Sequence, residues 1–189
     1  MNNASKMALS IAMATALAQN ALAEESGVLV GIGQGVGVVS EKDRAGYSWE
    51  FLVGYKQFFS ERVGLRYYLN ITNTYLYMSR DSIAGDTKVL HYSANIDFLG
   101  NFVSKENVDF GAFVGVRAGV DMWSGESFSY AKNNIYNVAL NLGLRVNIAK
   151  YHGIEIAQRV QYNPMVKSGV SIYYPSVTSI RYTLSFGSY

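Results

Sequence analysis

One stretch, Tyr47–Ile71, constrains this chain more than any other. Taken in steps of two, Tyr47, Trp49, Phe51, Val53 and Tyr55 form one set, and Ser48, Glu50, Leu52, Gly54 and Lys56 form the other. Successive side chains of a strand point to opposite faces, so this pattern predicts a strand with one bulky face and one small or charged face. A tight break follows at Ser60-Glu61-Arg62. The alternation then resumes with Val63, Leu65, Tyr67, Leu69 and Ile71 against Gly64, Arg66, Tyr68, Asn70 and Thr72. A soluble sheet shows the same alternation, so a single hairpin leaves its surroundings open. Repetition along the chain decides the matter, together with the segment at its start.

The grammar repeats. Val28, Val30, Ile32, Val36 and Val38 alternate with Gly31, Gly33, Gly35 and Gly37. These glycines do not read as a phosphate loop, because their spacing is strictly two, no helix pattern follows and no Walker lysine is present. They read as room on a crowded strand face. Further strands are predicted over Leu90–Phe102, Val108–Met122, Tyr136–Ile148, Ile154–Tyr162 and Ile180–Gly187, giving eight in all. The connections alternate in length. Ser60–Arg62, Val103–Asn107 and Ala149–Tyr151 are short, whereas Ser40–Ala45, Asn73–Thr87, Trp123–Asn134 and Asn163–Ser176 are long. In a meander every second connection lies at the same end, so the long ones share one end, as the surface loops of outer-membrane barrels do.

The polarity is inverted relative to a soluble barrel. Eight strands enclose a bore only wide enough for side chains. That bore has no room for a face carrying Trp49, Phe51 and Tyr55, but it accommodates Gly, Asn, Arg and Glu. The bulky face therefore looks outward, where lipid covers it. Only a closed sheet satisfies every backbone polar group in that setting. The predicted fold is an all-β, eight-stranded, antiparallel, up-and-down transmembrane barrel. Tyr47, Trp49, Tyr75, Tyr92, Tyr136 and Tyr162 fall near the long-loop end, and Tyr55, Phe59, Phe102 and Tyr151 near the other, as aromatic girdles do.

Residues 1–23 read as a secretory signal peptide: Lys6, the apolar run Met7–Leu17, and Ala21-Leu22-Ala23 as the cleavage site ahead of Glu24-Glu25. Residues 24–189 are then the barrel. The formal net charge of +2 falls to about +1 without Lys6, and this balance argues against a nucleic-acid partner. The absence of cysteine excludes a disulfide scaffold, a lipoprotein anchor and thiolate metal sites.

The chain resembles the outer-membrane protein family of Helicobacter species. The resemblance rests on Gly54-Tyr55-Lys56-Gln57-Phe58-Phe59, Gly64-Leu65-Arg66-Tyr67-Tyr68, Gly111-Ala112-Phe113-Val114-Gly115, Asn141-Leu142-Gly143-Leu144-Arg145 and His152-Gly153-Ile154-Glu155. It extends from Tyr47 to Tyr189. It implies a Gram-negative outer-membrane location and a family of adhesins and porins. Large members carry an N-terminal surface domain, often with cysteines. This chain shows neither, so receptor binding through such a domain does not carry over. Tyr189 looks like the family's C-terminal signal to the barrel-assembly machinery, although Tyr182, Leu184 and Phe186 are out of phase with it.

The residues read as inward form a charge network of Glu50, Lys56, Arg66, Asp97, Asp109, Arg117, Asp121, Arg145, Glu155, Arg159 and Arg181. Buried charges must be paired. The expectation is that Arg66, Arg117, Arg145 and Arg159 pair with Glu50, Asp97, Asp121 and Glu155 and plug the bore. The alternative is a narrow, ion-conducting lumen. Which acid meets which arginine depends on the shear, which alternation does not reveal. A third reading is a lipid- or lipopolysaccharide-modifying enzyme, for which His91 and Ser93 are the candidate pair. Both read as inward, whereas a lipid-cleaving site must face the membrane. No cofactor or metal is expected. Surface-contact candidates are Tyr75, Tyr77, Arg80, Trp123, Phe128, Tyr130 and Lys132, because aromatics and arginine make binding hot spots. The leading expectation is a monomeric, non-catalytic barrel surrounded by outer-membrane lipid, serving surface contact or envelope integrity.

Overall fold

The computed structural model describes residues 24–39, 44–77, 87–105, 107–124, 135–161, 165–167, 170–172 and 176–187. The signal-peptide segment, Tyr189 and most of the long connections lie outside the described residues. All regular structure among the described residues is strand. The strands are β1 (Gly27–Val39), β2 (Arg44–Phe58), β3 (Val63–Tyr77), β4 (Thr87–Lys105), β5 (Val108–Ser124), β6 (Ile135–Ile148), β7 (His152–Gln161), β8 (Met165–Lys167), β9 (Val170–Ile172) and β10 (Ser176–Gly187).

Eight of these close into an antiparallel barrel with the circular order β1-β10-β7-β6-β5-β4-β3-β2. Closure is made by β1 against β10, from Gly27 opposite Gly187 to Val38 opposite Ser176. Within the barrel no strand edge is left to stand unsatisfied in lipid. β8 and β9 pair only with each other, Met165 opposite Ile172, in a short ribbon on the connection between β7 and β10. That connection was expected to be plain loop.

Alternation sets the two faces as expected. Leu69, Ile180, Ile32, Val138 and Leu144 stand outside, each 60–64 % exposed. The neighbours of these residues in sequence turn in. The outer wall is thus a continuous apolar belt that water does not cover at acceptable cost. Tyr47, Trp49, Tyr92 and Tyr136 rim one end of that belt, and Phe59, Phe102 and Tyr151 rim the other.

The strands outrun the expected limits. β3 continues through Tyr75 to Tyr77, so those residues belong to the wall and not to a loop. β4 runs on to Lys105 by means of a register shift between Asn101 and Val103. This bulge puts Phe102 and Val103 outside together, since the extra residue breaks the strict alternation. The β6–β7 turn holds Ala149 and Lys150 at positive φ, 51° and 66°. A tight hairpin of this twist requires both central residues in the left-handed region. The Ala149 N–H donates to Asn107 O at 2.8 Å, tying this turn to the one beside it.

The interior is not purely polar. Leu29, Leu52 and Tyr68 form one buried cluster, and Leu99, Phe113 and Ala157 form another with Phe58 against it. Sequence alternation placed Leu52 and Tyr68 inside. Phe113 fits there because Gly143 faces it across the β5–β6 ladder. A Cβ on Gly143 would lie 2.6 Å from the Phe113 ring.

Candidate functional site

The candidate site is the lumen. All eleven charged residues expected to point inward are buried there: Glu50, Lys56, Arg66, Asp97, Asp109, Arg117, Asp121, Arg145, Glu155, Arg159 and Arg181. Ten of them sort into three levels; Asp109 stands apart at the start of β5, opposite Ser104 and Asn147.

The middle level bridges the bore. Arg66 donates to Asp97 Oδ2 from Nη2 at 2.7 Å and from Nε at 3.2 Å, and to Glu155 Oε1 from Nη1 at 2.5 Å. Asp97 is its register partner on the adjacent β4. Glu155, on β7, lies on the diametrically opposite wall of the ring. The guanidinium lies 5.0 Å from the Tyr68 ring centre and 4.8 Å from that of Phe113. This cation–π packing offsets part of the cost of burial.

Across β1, Arg181 grips Glu50 in a forked pair, Nε to Oε1 at 2.7 Å and Nη2 to Oε2 at 3.1 Å. Ser179 Oγ adds a bond to Glu50 Oε1 at 2.6 Å, and Asn70 Nδ2 one to Oε2 at 3.2 Å. One strand, β1, separates these residues, and Gly33 is the register partner of both. A Cβ there would lie 2.7 Å from Glu50 Oε1 and 3.1 Å from Arg181 Cγ. The bare glycine is therefore what lets the pair reach over β1. Arg181 Nη1 lies 4.0 Å from Glu155 Oε2, which links the two halves of this level.

At the short-turn end a residue ahead of the first strand reaches into the lumen. Glu24 is 1 % exposed. Its Oε1 accepts from Lys56 Nζ at 2.7 Å and from Arg145 Nη2, and its Oε2 accepts from Asn101 Nδ2 at 3.2 Å. Beside it Glu25 pairs with Lys150 at 2.9 Å, and Ser26 Oγ accepts from the Phe58 N–H at 2.9 Å. The sequence reading used Glu24 only as the flank of a cleavage site and missed this role. Burial opposes ionisation of Glu24, but Arg145 and Lys56 outweigh it and hold the carboxyl below its ordinary range.

The level toward the long connections departs from expectation. Asp121 is the register partner of His91, and His91 Nδ1 donates to Asp121 Oδ1 at 2.5 Å. Asn137 Nδ2 donates to Asp121 Oδ2. Arg117 and Arg159 were expected to pair with carboxylates and, among the described residues, do not. Nε and Nη2 of Arg117 and Nε of Arg159 have no hydrogen-bond partner among the described residues. The His91–Ser93 pair also fails as a catalytic dyad. His91 turns to Asp121, and Ser93 Oγ accepts from Asn95 Nδ2 at 3.2 Å. Both side chains are buried inside the wall, away from lipid.

Of the surface-contact candidates, Trp123 is corrected outright. It lies in β5 with its side chain 8 % exposed, turned inward at the strand end. Tyr75 is half-buried in β3, with its OH accepting from Asn73 Nδ2 at 3.1 Å and Lys88 Nζ 5.4 Å from its ring centre. Tyr77 ends the same strand. Arg80, Phe128, Tyr130 and Lys132 lie outside the described residues. Among the described residues no group of His, Cys, Asp or Glu is arranged to hold a metal.

A closed eight-stranded meander with an apolar outer belt, aromatic rims and an ion-paired interior is an integral outer-membrane β-barrel. The chain belongs to the Helicobacter outer membrane protein family, whose model matches residues 50–186. No curated protein sequence matches it. Among solved structures it is similar to Neisserial surface protein A, with a TM-score of 0.55 at 17 % identity, covering 85 % of this chain and 97 % of that one. It is also similar to OprG from Pseudomonas aeruginosa, with a TM-score of 0.50 at 11 % identity, covering 89 % and 100 %. At these identities the likeness shows the fold. Residues such as Leu69 and Ile180 therefore face the lipid of a Gram-negative outer membrane.

Proposed function

We propose that this protein is a monomeric, non-catalytic barrel whose lumen is plugged and whose function lies in what it presents at the cell surface. One observation carries the reading: Arg66 and Glu155 meet at 2.5 Å from opposite walls. A bore crossed by a buried, hydrogen-bonded ion pair has no continuous water path at that height. Glu24 adds a second closure below it. A narrow channel fits these contacts less well. An enzyme of the membrane face would need a nucleophile and base directed at lipid, and His91 and Ser93 point the other way.

In this reading export removes residues 1–23, leaving Glu24 as the first residue of a barrel that the assembly machinery recognises through its C-terminal strand and Tyr189. The long connections 40–43, 78–86, 125–134 and 162–175 then stand at the surface, where Arg80, Phe128, Tyr130 and Lys132 are available for contact. The test replaces 78–86 and 125–134 by short turns and compares adhesion of intact cells to host-cell monolayers. The shortened barrel should still insert and resist unfolding, while adhesion drops several-fold. Unchanged adhesion with the barrel folded would remove the contact role and leave envelope integrity.

A further inference from the structure

The outer wall has a recess where bulk is missing on two neighbouring strands. Leu99 and Asn101 turn into the barrel, so Gly100 between them faces out. Its register partners are Val63 on β3 and Ala112 on β5. A Cβ on Gly100 would meet nothing within 4 Å. Phe98 and Phe102 stand exposed on either side of it along β4. Together these residues outline an apolar groove of about 650 Å³, a volume in the usual range of ligand sites. One end of the groove is polar, because the β2–β3 turn Ser60-Glu61-Arg62 lines it. Arg62 O accepts the Asn101 N–H at 2.8 Å, which pins this turn beside the bulge of β4. Glu61 Oε2 is buried and has no hydrogen-bond partner among the described residues. A buried acceptor of this kind calls for a donor. An apolar trough with an acid and a base at one end has the form of an amphiphile's seat.

We propose that this groove holds one zwitterionic phospholipid, with an acyl chain over Gly100 and the headgroup against Ser60–Arg62. The groove is continuous with the apolar belt that meets lipid, so its occupant comes from the bilayer itself. A gap left empty there would forfeit dispersion contacts on every lining side chain, and a chain laid in it restores them. The polar end lies at a short turn, and the short turns of outer-membrane barrels face the periplasm. The leaflet on that side is phospholipid. Arg62 offers a cation to the phosphate, and Glu61 an acceptor to the ammonium. The site goes beyond the surface-contact reading and stands whether or not the loops bind a partner.

The experiment refolds the full chain in vesicles of phosphatidylethanolamine and phosphatidylglycerol in equal amounts. The barrel is then extracted in mild detergent and weighed by native mass spectrometry. Wild type should retain one phospholipid, enriched several-fold in phosphatidylethanolamine. Gly100→Leu should retain several-fold less, since its side chain takes the place of the acyl chain. Glu61→Gln should keep the lipid and lose the headgroup preference. Val138→Leu adds bulk to the lipid face on β6, away from the groove, and should behave as wild type. Heat-dependent gel mobility shows that each variant is folded. A wild type that retains no phospholipid or favours phosphatidylglycerol, or a folded Gly100→Leu that retains as much as wild type, would overturn the site. Photolabelling of wild type with a diazirine-bearing acyl chain gives a reading that needs no variant. Label concentrated on residues 98–102 and 112–114 supports the site, and label spread evenly around the belt refutes it.

Discussion

Arg66 on β3 and Glu155 on β7 stand on opposite walls of the barrel, and Nη1 of the one reaches Oε1 of the other at 2.5 Å. Removing one member leaves a buried charge unanswered, which typically costs about 3–5 kcal/mol. Arg66→Met should therefore lower stability by roughly that amount, with Asp97 and Glu155 both stranded. Urea unfolding of the refolded barrel in lipid measures it. A change below about 1 kcal/mol would mean that water already screens the pair.

Glu24 makes a prediction about pH. Its folded carboxyl titrates below the ordinary value of 4.5, because Arg145 and Lys56 outweigh the cost of burial. A depressed folded pKa contributes stability that is fully present above the unfolded value and lost as pH falls through the folded one. Wild type should therefore exceed Glu24→Gln in stability at neutral pH. The gap should close as pH drops below 4.5. Unfolding midpoints of the two proteins across that range give the answer, and a gap that persists at the acid end would show that Glu24 is not the titrating anchor.

Gly33 is predicted to tolerate no side chain. Gly33→Val would drive into Glu50 and Arg181, whose forked pair lies over the bare backbone. Overpacking of this kind costs about 1–3 kcal/mol. Gly37 lies on the same strand and face beyond the ion pair, so Gly37→Val should cost less. Equal losses in the two variants would show that general strand crowding, and not the ion pair, is responsible.

On the outer wall Val114 and Leu142 are register partners, 54 % and 42 % exposed. Arginine at either site should destabilise the barrel in bilayers by roughly 2–4 kcal/mol if the site lies near the midplane. Refolding in vesicles of defined thickness measures the cost. Little loss would mean that this face does not meet lipid.

Much of this architecture is legible in the sequence because a period of two fixes the face of every residue in a strand. The inward charges, the outward aromatics and the strand number follow from it. Pairing does not follow, because it depends on shear, which sets which rungs share a level. Hence Arg66 with Glu155 was unreadable, and so was the lack, among the described residues, of carboxylates for Arg117 and Arg159. Glu24 was missed for a different reason. It precedes the first alternating residue, and no periodicity marks a chain that folds back under a barrel. Trp123 was misread because a large aromatic at a strand end looks like the start of a loop, while the wall runs on to Ser124. The bulge at Asn101–Val103 hid the length of β4 in the same way.

The central claim is that the bore is closed, by Arg66 and Glu155 at mid-height and by Glu24 beneath. Planar-bilayer recording of the refolded wild-type protein tests it most directly, with Glu24→Gln and Arg66→Met recorded alongside. The predicted result is no steady conductance for wild type and measurable leak once either closure is removed. A wild-type barrel that conducts steadily, with a conductance indifferent to both substitutions, would contradict the plug.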